Sequence, residues 1–150
     1  MVADRLTKEQ RRRTMQAVRS SGSEIERLLR AELWRLGLRY RKNMRAVIGC
    51  PDVVFKSEQV AVFCDSEFWH GFDWKRRKHD FHSNRKFWIG KIERNMRRDS
   101  EVTRELRGLG WRVVRFWGTE IMGDSKKCAK KVYQIVHSRR LSSKRSSHER

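Results

Sequence analysis

Residues 59–65 read QVAVFCD, and Val60 to Phe63 form an unbroken apolar run. Successive side chains of a strand point to opposite faces, so a run that is apolar at every position needs cover on both. This predicts the central strand of an α/β sheet. PDVVF at 51–55 reads as a second strand, and KSE at 56–58 as a hairpin turn, which makes the two adjacent and antiparallel. LRYRKN near 38–43 and WRVVRFW at 111–117 add two more short β-like segments.

Helical signals surround these strands. SEIE at 23–26 puts a hydroxyl at a cap and Glu26 three residues on, followed by Ile25, Leu28, Leu29, Leu33 and Leu36 at helical spacing, with Gly37 as the stop. From Asn84 to Leu109 a long helix is expected, with Trp88, Ile92, Asn95, Asp99, Val102, Leu106 and Leu109 on its inner stripe and Gly110 ending it. A last helix is expected over 126–137. The connection 71–83, GFDWKRRKHDFHS, has no regular period. Helix, three strands, helix, strand, helix makes one α/β domain with a mixed central sheet flanked by helices.

The ends are polar. Residues 1–22 form a basic arm with weak helical periodicity, in which Arg11, Arg12 and Arg13 are candidate DNA contacts, and RRLSSKRSSHER at 139–150 is expected to be disordered. Lys and Arg number 37 against 18 Asp and Glu, a formal charge of +19. An excess of that size, spread along the chain, predicts a polyanionic partner, nucleic acid before a membrane patch. No stretch has the length of a membrane span and the N-terminus lacks a secretory signal, which predicts a soluble, cytoplasmic protein. Cys50, Cys64 and Cys128 stand far apart with no CxxC pair, against a disulfide framework or zinc finger. His79, His82 and Cys128 have no ligand-like spacing either.

Four residues stand out for chemistry, each with a plainer alternative. Asp99 sits in line with an apolar stripe; either a partner waits for its charge, or the stripe rotates and the carboxylate is solvated. Asp52 follows the only proline and opens a β-branched run, as a functional carboxylate or as an ordinary turn residue. His70 lies just beyond the apolar strand, where a histidine is a base or filler. Glu26 has the capping box as its plain explanation.

Together these residues form a pattern. Pro51-Asp52, Phe68-Trp69-His70 and Phe87-Trp88-Ile89-x-Lys91-Ile92-x-x-Asn95-x-x-x-Asp99, followed by Leu109-Gly110-Trp111-Arg112-Val113, resemble the very short patch repair DNA mismatch endonucleases. These belong to the PD-(D/E)xK nuclease superfamily, of restriction-endonuclease-like fold; the lysine of that signature is absent here. The resemblance includes Met15 and SEIERLL at 23–29 and runs over about 15–121.

The resemblance implies an endonuclease domain over 23–138 that nicks one strand of double-stranded DNA beside a T:G mismatch, leaving 5′-phosphate and 3′-hydroxyl ends. Asp52 then matches the Mg²⁺-binding carboxylate, with Mn²⁺ as a substitute ion, and Cys64 the position whose main-chain carbonyl is a second ligand. His70 matches the general base. Asp99 matches the carboxylate that supports the histidine and the water on the metal, and Glu26 the helix carboxylate that holds the hydrated metal. Phe68, Trp69 and Trp88 match aromatic wedges beside the mismatch, with simple core as the alternative for Trp88 at the head of the stripe. Lys91 and Asn95 lie on the same DNA-facing helix, and Met15 matches a residue of the N-terminal helix that grips the opposite groove. A monomer is implied, working beside DNA repair proteins.

The chain departs from the family at the structural zinc, whose ligand positions carry Glu67, Phe72, Trp74 and Thr119. No zinc is therefore expected, with Phe72 and Trp74 filling the space by packing. Asp65 and Glu67 add negative charge beside a DNA-facing loop, and strand alternation turns Asp65 to the face opposite Cys64. Two rival readings remain, a nuclease of the same fold acting on matched DNA, and a non-catalytic basic protein whose aromatics stack on bases.

Overall fold

A computed structural model of the chain describes residues 7–8 and 24–148. Met15 and Arg11 to Arg13 lie outside the described residues, as does the capping hydroxyl of Ser23. The first described helix, α1, spans 24–35. Strands β1 (Arg41–Lys42), β2 (Val53–Phe55) and β3 (Val60–Asp65) follow, then short helices α2 (Glu67–His70) and α3 (Trp74–Arg77) and the long helix α4 (Arg85–Gly108). Strand β4 (Arg112–Trp117) and helices α5 (Gly118–Gly123) and α6 (Ser125–His148) complete the domain.

The sheet is four-stranded in the order β1-β2-β3-β4. β1 and β3 flank β2 antiparallel, with Val53 opposite Val62, and β4 joins β3 in parallel, with Phe63 opposite Arg115. Every residue of β3 is buried, as its double-sided apolar run requires. Its two faces go to different cores. Val60, Val62 and Cys64 pack with Ile25, Leu29 and Leu33 of α1 and Cys128, Ala129, Val132 and Val136 of α6. Ala61 and Phe63 face the other way, onto Leu106 and Val102 of α4 and Val113 and Trp111. The fold is thus a mixed sheet between two helical layers, and α4 is the crossover that parallel pairing of β3 and β4 demands.

Several local expectations are corrected. Helix α1 ends before Leu36, which is 43% exposed, and Leu38 is buried in its place. Gly37, at φ +83°, makes the reversal, and the Leu38 N–H reaches back to the Leu33 carbonyl. Leu109 likewise lies past the end of α4 at 59% exposure, because the chain turns and the Trp111 N–H bonds the Leu106 carbonyl. Only Arg41 and Lys42 of the 38–43 segment pair in the sheet. The aperiodic 71–83 connection folds into single helical turns too short to show a period, and α5 was not foreseen.

The segment expected to be disordered from 139 instead continues α6 to His148. Arg139 donates to the Gly110 carbonyl and Arg140 pairs with Glu58, which anchors the first part of the extension. Ser142, Ser143, Ser146 and Ser147 then turn their hydroxyls onto carbonyls one turn back, as serine can inside a helix.

This layering separates Leu29 of α1 from Leu36 just past its end. Leu29→Ala empties a fully buried site and is expected to cost about 2–5 kcal/mol in urea unfolding, whereas Leu36→Ala at the exposed end should stay within about 0.5 kcal/mol. Equal losses would contradict the end of α1 as described.

Candidate active site

The C-terminal ends of β3 and β4 open into a cleft of about 340 Å³. Open α/β sheets bind ligands at this edge. Glu26, Asp52, Cys64, Asp65, Trp69, His70, Asn95, Asp99 and Arg115 all line it. The predicted carboxylates and histidine therefore come together from four elements distant in sequence.

On one wall, Asp52 precedes β2 and accepts a hydrogen bond from the Cys64 main-chain N–H at 2.7 Å. Burial pushes its carboxyl up to about 7, against that hydrogen bond, and the neighbouring Glu26 adds to the rise. Glu26, on the first turn of α1, pairs with Arg30 one turn on. Its carboxylate thus has a use beyond helix capping. Burial and the fields of Asp52 and Glu26 also raise the Cys64 thiol far above its usual range, so its sulfur stays protonated.

On the other wall, His70 Nδ1 lies 2.6 Å from Asp99 Oδ2 and 3.6 Å from Asp65 Oδ1. The charge in the apolar stripe of α4 thus has its partner. An ionised carboxylate only accepts, so Nδ1 carries the hydrogen, and in the neutral ring Nε2 then keeps its lone pair. Burial pulls the His70 pKa down, but the Asp99 hydrogen bond and the charges of Asp65 and Asp99 outweigh it, and the net shift is upward.

Local backbone needs hold His70 in place. Gly71 closes α2 at φ +72°, and a Cβ there would come within 2.3 Å of Met96 Sδ on α4. Only glycine meets both constraints. Asn95 Nδ2 donates to the Trp69 carbonyl at 3.1 Å and ties the same turn to α4.

The aromatics of α2 and the start of α4 form one cluster at the rim. Phe68 packs edge-on to Trp69 (centroids 5.0 Å apart) and to Trp88 (5.8 Å), and Trp69 lies 6.1 Å from Trp88. Trp88 belongs to neither sheet core, which removes the core alternative for it. Lys91 Nζ sits 4.9 Å over the Trp69 ring. Phe87, 56% exposed and edge-on to Trp88, extends the cluster; the sequence motif included it but assigned it no contact role.

The two unexplained acids also find their places. Asp65 is buried, and Arg115 Nη1 meets both its oxygens at 3.1 Å. Without such a partner a buried carboxylate would cost several kcal/mol. Glu67 accepts from the Thr119 N–H at 2.6 Å, fastening α2 to α5. Phe72 packs edge-on to Trp117 at 5.1 Å, and Trp74 donates to Glu93 while its ring lies 6.0 Å from Phe81. Arg115 is the residue that sequence reasoning missed. Its signal was an arginine at an alternate position of a β-like run, which is informative only once the parallel register with Phe63 is known.

A strongly cationic chain with a carboxylate–histidine cleft at the ends of parallel strands belongs to the hydrolases of polyanions, and the mixed sheet with its flanking helices is of restriction-endonuclease-like fold. Comparison with known proteins narrows the class. A family model described as DNA mismatch endonuclease Vsr matches residues 3–76. The chain is 50% identical over 147 residues to the type II nicking enzyme V.NmeDIP of Neisseria meningitidis serogroup C, covering 98% of this chain and 99% of that one. It is 46% identical over 137 residues to the type II nicking enzyme V.HpaIIP of Haemophilus parainfluenzae (91% and 97% covered). To the DNA mismatch endonuclease Vsr of Escherichia coli strain K12 it is 30% identical over 125 residues (83% and 80%). The chain belongs to the Vsr family of DNA endonucleases.

The upward shift at His70 is measurable without substrate. In an NMR titration its ring should titrate above the usual 6.5. Asp99→Asn removes the negative charge that favours the imidazolium, so the midpoint should fall; an unmoved midpoint would show that Asp99 does not set it.

Proposed function

We propose that the protein is a Mg²⁺-dependent nicking endonuclease that cuts one strand of double-stranded DNA beside a T:G mismatch. The observation that carries this reading is the cleft in which the His70–Asp99 pair faces the Asp52–Glu26 wall, with Phe68, Trp69 and Trp88 at its rim. The relatives named as nicking enzymes support single-strand cleavage.

The Asp52 wall fits a hard divalent cation. It offers the Asp52 and Glu26 carboxylates as oxygen donors, with the Cys64 carbonyl as the further ligand on this reading, and burial, with Glu26 beside it, pushes Asp52 up to about 7, a penalty on its charge that a bound cation would offset. Among the described residues no three His, Cys, Asp or Glu cluster as a ligand set. That is compatible with Mg²⁺, which commonly takes one or two carboxylates and keeps its waters. Held by Asp52 with Glu26 beside it, Mg²⁺ or Mn²⁺ would neutralise the charge on the scissile phosphate.

The remaining chemistry falls to the chain. His70 Nε2, with Nδ1–H committed to Asp99, takes the proton of the attacking water, and the Asp99 carboxylate stabilises the imidazolium that forms. Such a base contributes roughly 10²- to 10⁴-fold in rate. Phe68, Trp69 and Trp88 wedge into the base stack; unstacking costs a few kcal/mol, less where pairing is already poor, so the wedge favours a mismatch. Lys91, Asn95, Met15 and Arg11 to Arg13 complete the DNA contact on this reading.

The zinc implied by the family does not fit. Its positions hold a carboxylate, two aromatic rings and a threonine, and Glu67 is occupied by the Thr119 N–H. We read this joint as metal-free.

End-labelled duplexes, matched or carrying one mismatch, test the proposal. With Mg²⁺ the protein should nick T:G duplexes preferentially, with a chelator it should bind without cutting, and Asp52→Ala and His70→Ala should each lose about 10²-fold or more. Equal cutting of matched DNA would replace the mismatch reading by a matched-DNA nuclease. Salt-sensitive binding without any cleavage would leave only a DNA-binding protein.

Trp69→Ala should lose preference for T:G over matched duplex more than it loses duplex affinity in the same assay. Unchanged discrimination would remove the wedge.

A further inference from the structure

Arg115 has no part in the reading above, yet it is the most heavily engaged cation of the cleft. In the parallel ladder it stands opposite Phe63, so β4 turns it toward α4. Its guanidinium carbon lies 4.1 Å over the Phe63 ring centroid, and Nε donates to Thr103 Oγ1 at 2.9 Å. Nη2 donates to the Asp99 main-chain oxygen at 3.2 Å, while Nη1 meets both oxygens of Asp65 and lies 3.8 Å from Asp99 Oδ1. A guanidinium fixed at so many points is not free to swing out to a DNA phosphate, unlike the exposed Arg98 at the same cleft.

What it controls is a conflict. Asp65 and Asp99 both face His70 Nδ1, and that nitrogen carries a single hydrogen. If Asp65 took it, the ring would rotate away from Asp99 and Nε2 would be aimed elsewhere. By binding both Asp65 oxygens and the Asp99 backbone, Arg115 leaves Asp99 as the acceptor.

We infer that Arg115 is a positioning residue of the nicking reaction, holding Asp65 off and Asp99 onto the His70 ring so that Nε2 is presented to the attacking water. This inference rests on His70 being the base, as proposed above. The charged groups facing the ring are Asp65 from β3, Asp99 from α4 and Arg115 from β4; the two carboxylates favour its protonated form and Arg115 opposes it. Removing Arg115 should therefore move the rising limb of activity to higher pH, and neutralising Asp65 should move it lower.

The test measures kcat, KM and the pH profile of T:G nicking with Mg²⁺ for the wild type, Arg115→Gln, Asp65→Asn, the double variant and His70→Ala. Arg115→Gln should lower kcat about 10²-fold, the scale of a misplaced catalytic group, with KM within about twofold and the limb shifted upward. Asp65→Asn should shift the limb downward, and the double variant should return it toward the wild type. A purely structural role for Arg115 would lower stability and active fraction without moving either limb, and that result overturns the inference. If Arg115→Gln does not fold, the nearly isosteric Asp65→Asn decides alone: an unmoved limb refutes the inference and a downward shift supports it. His70→Ala separates this from the parent reading. An active His70→Ala sinks the base assignment itself, whereas an inactive one beside an unperturbed Arg115→Gln sinks only the role of Arg115.

Discussion

The burial of β3 on both faces is the constraint on which the rest of the structure depends. Six consecutive buried residues need a helical layer on each side, and their parity divides the strand's cargo. Even-numbered positions through Cys64 enter the core under α1 and α6, and odd-numbered positions through Asp65 face α4. A shift of one residue would exchange the two sets and place a carboxylate in the larger apolar core. The parallel pairing with β4 then requires a long crossover, and the chain uses that one helix to deliver Trp88, Lys91, Asn95 and Asp99 along the side that meets α2.

Charge pairing within the cleft is deliberately unequal in its consequences. Asp65 is answered by Arg115, Asp99 by His70 and Glu26 by Arg30. Asp52 is left with one main-chain N–H and the company of Glu26, and it is the carboxyl that burial lifts to about 7. In a chain of formal charge +19, cations were available to neutralise it. On the proposed reading that place is left for an external cation, and the surrounding positive charge attracts the polyanion.

The sequence displayed the order of the elements well because its strongest signals were local. The apolar run of β3, the KSE turn and the four-and-three steps of α4 each depend on residues close together. Helix ends were less legible, since whether Leu36 or Leu38 is buried depends on the reversal at Gly37 and not on periodicity. The 139–148 extension was hidden by its composition, as serine and arginine promise solvation until Glu58 and the Gly110 carbonyl provide contacts from elsewhere in the fold. Within the site, Asp52, His70 and Asp99 were recognisable as anomalies or by resemblance. Arg115 was invisible, because its meaning lies in a register between strands some fifty residues apart.

The two acids that fitted no pattern turn out to have opposite functions in the architecture. Asp65 faces inward and makes the electrostatics of His70 a three-body problem, so that the ring's behaviour reflects a balance between two carboxylates and a guanidinium. Glu67 faces the segment after β4. With the Thr119 N–H on the Glu67 carboxylate and Phe72 against Trp117, the turn carrying Phe68, Trp69 and His70 is fastened to α5 and β4, and Arg77 on the Glu67 carbonyl at 2.7 Å ties it to α3. Gly118 is part of that fastening, since a Cβ there would stand 3.1 Å from Glu67 Oε2 and 3.2 Å from Ile25 Cδ1. A joint of this kind places Phe68, Trp69 and His70 on one fastened turn, so the aromatics and the imidazole cannot be positioned independently. On the proposed reading, discrimination and cleavage then share one element, and a duplex that resists the wedge also fails to bring its phosphate to His70.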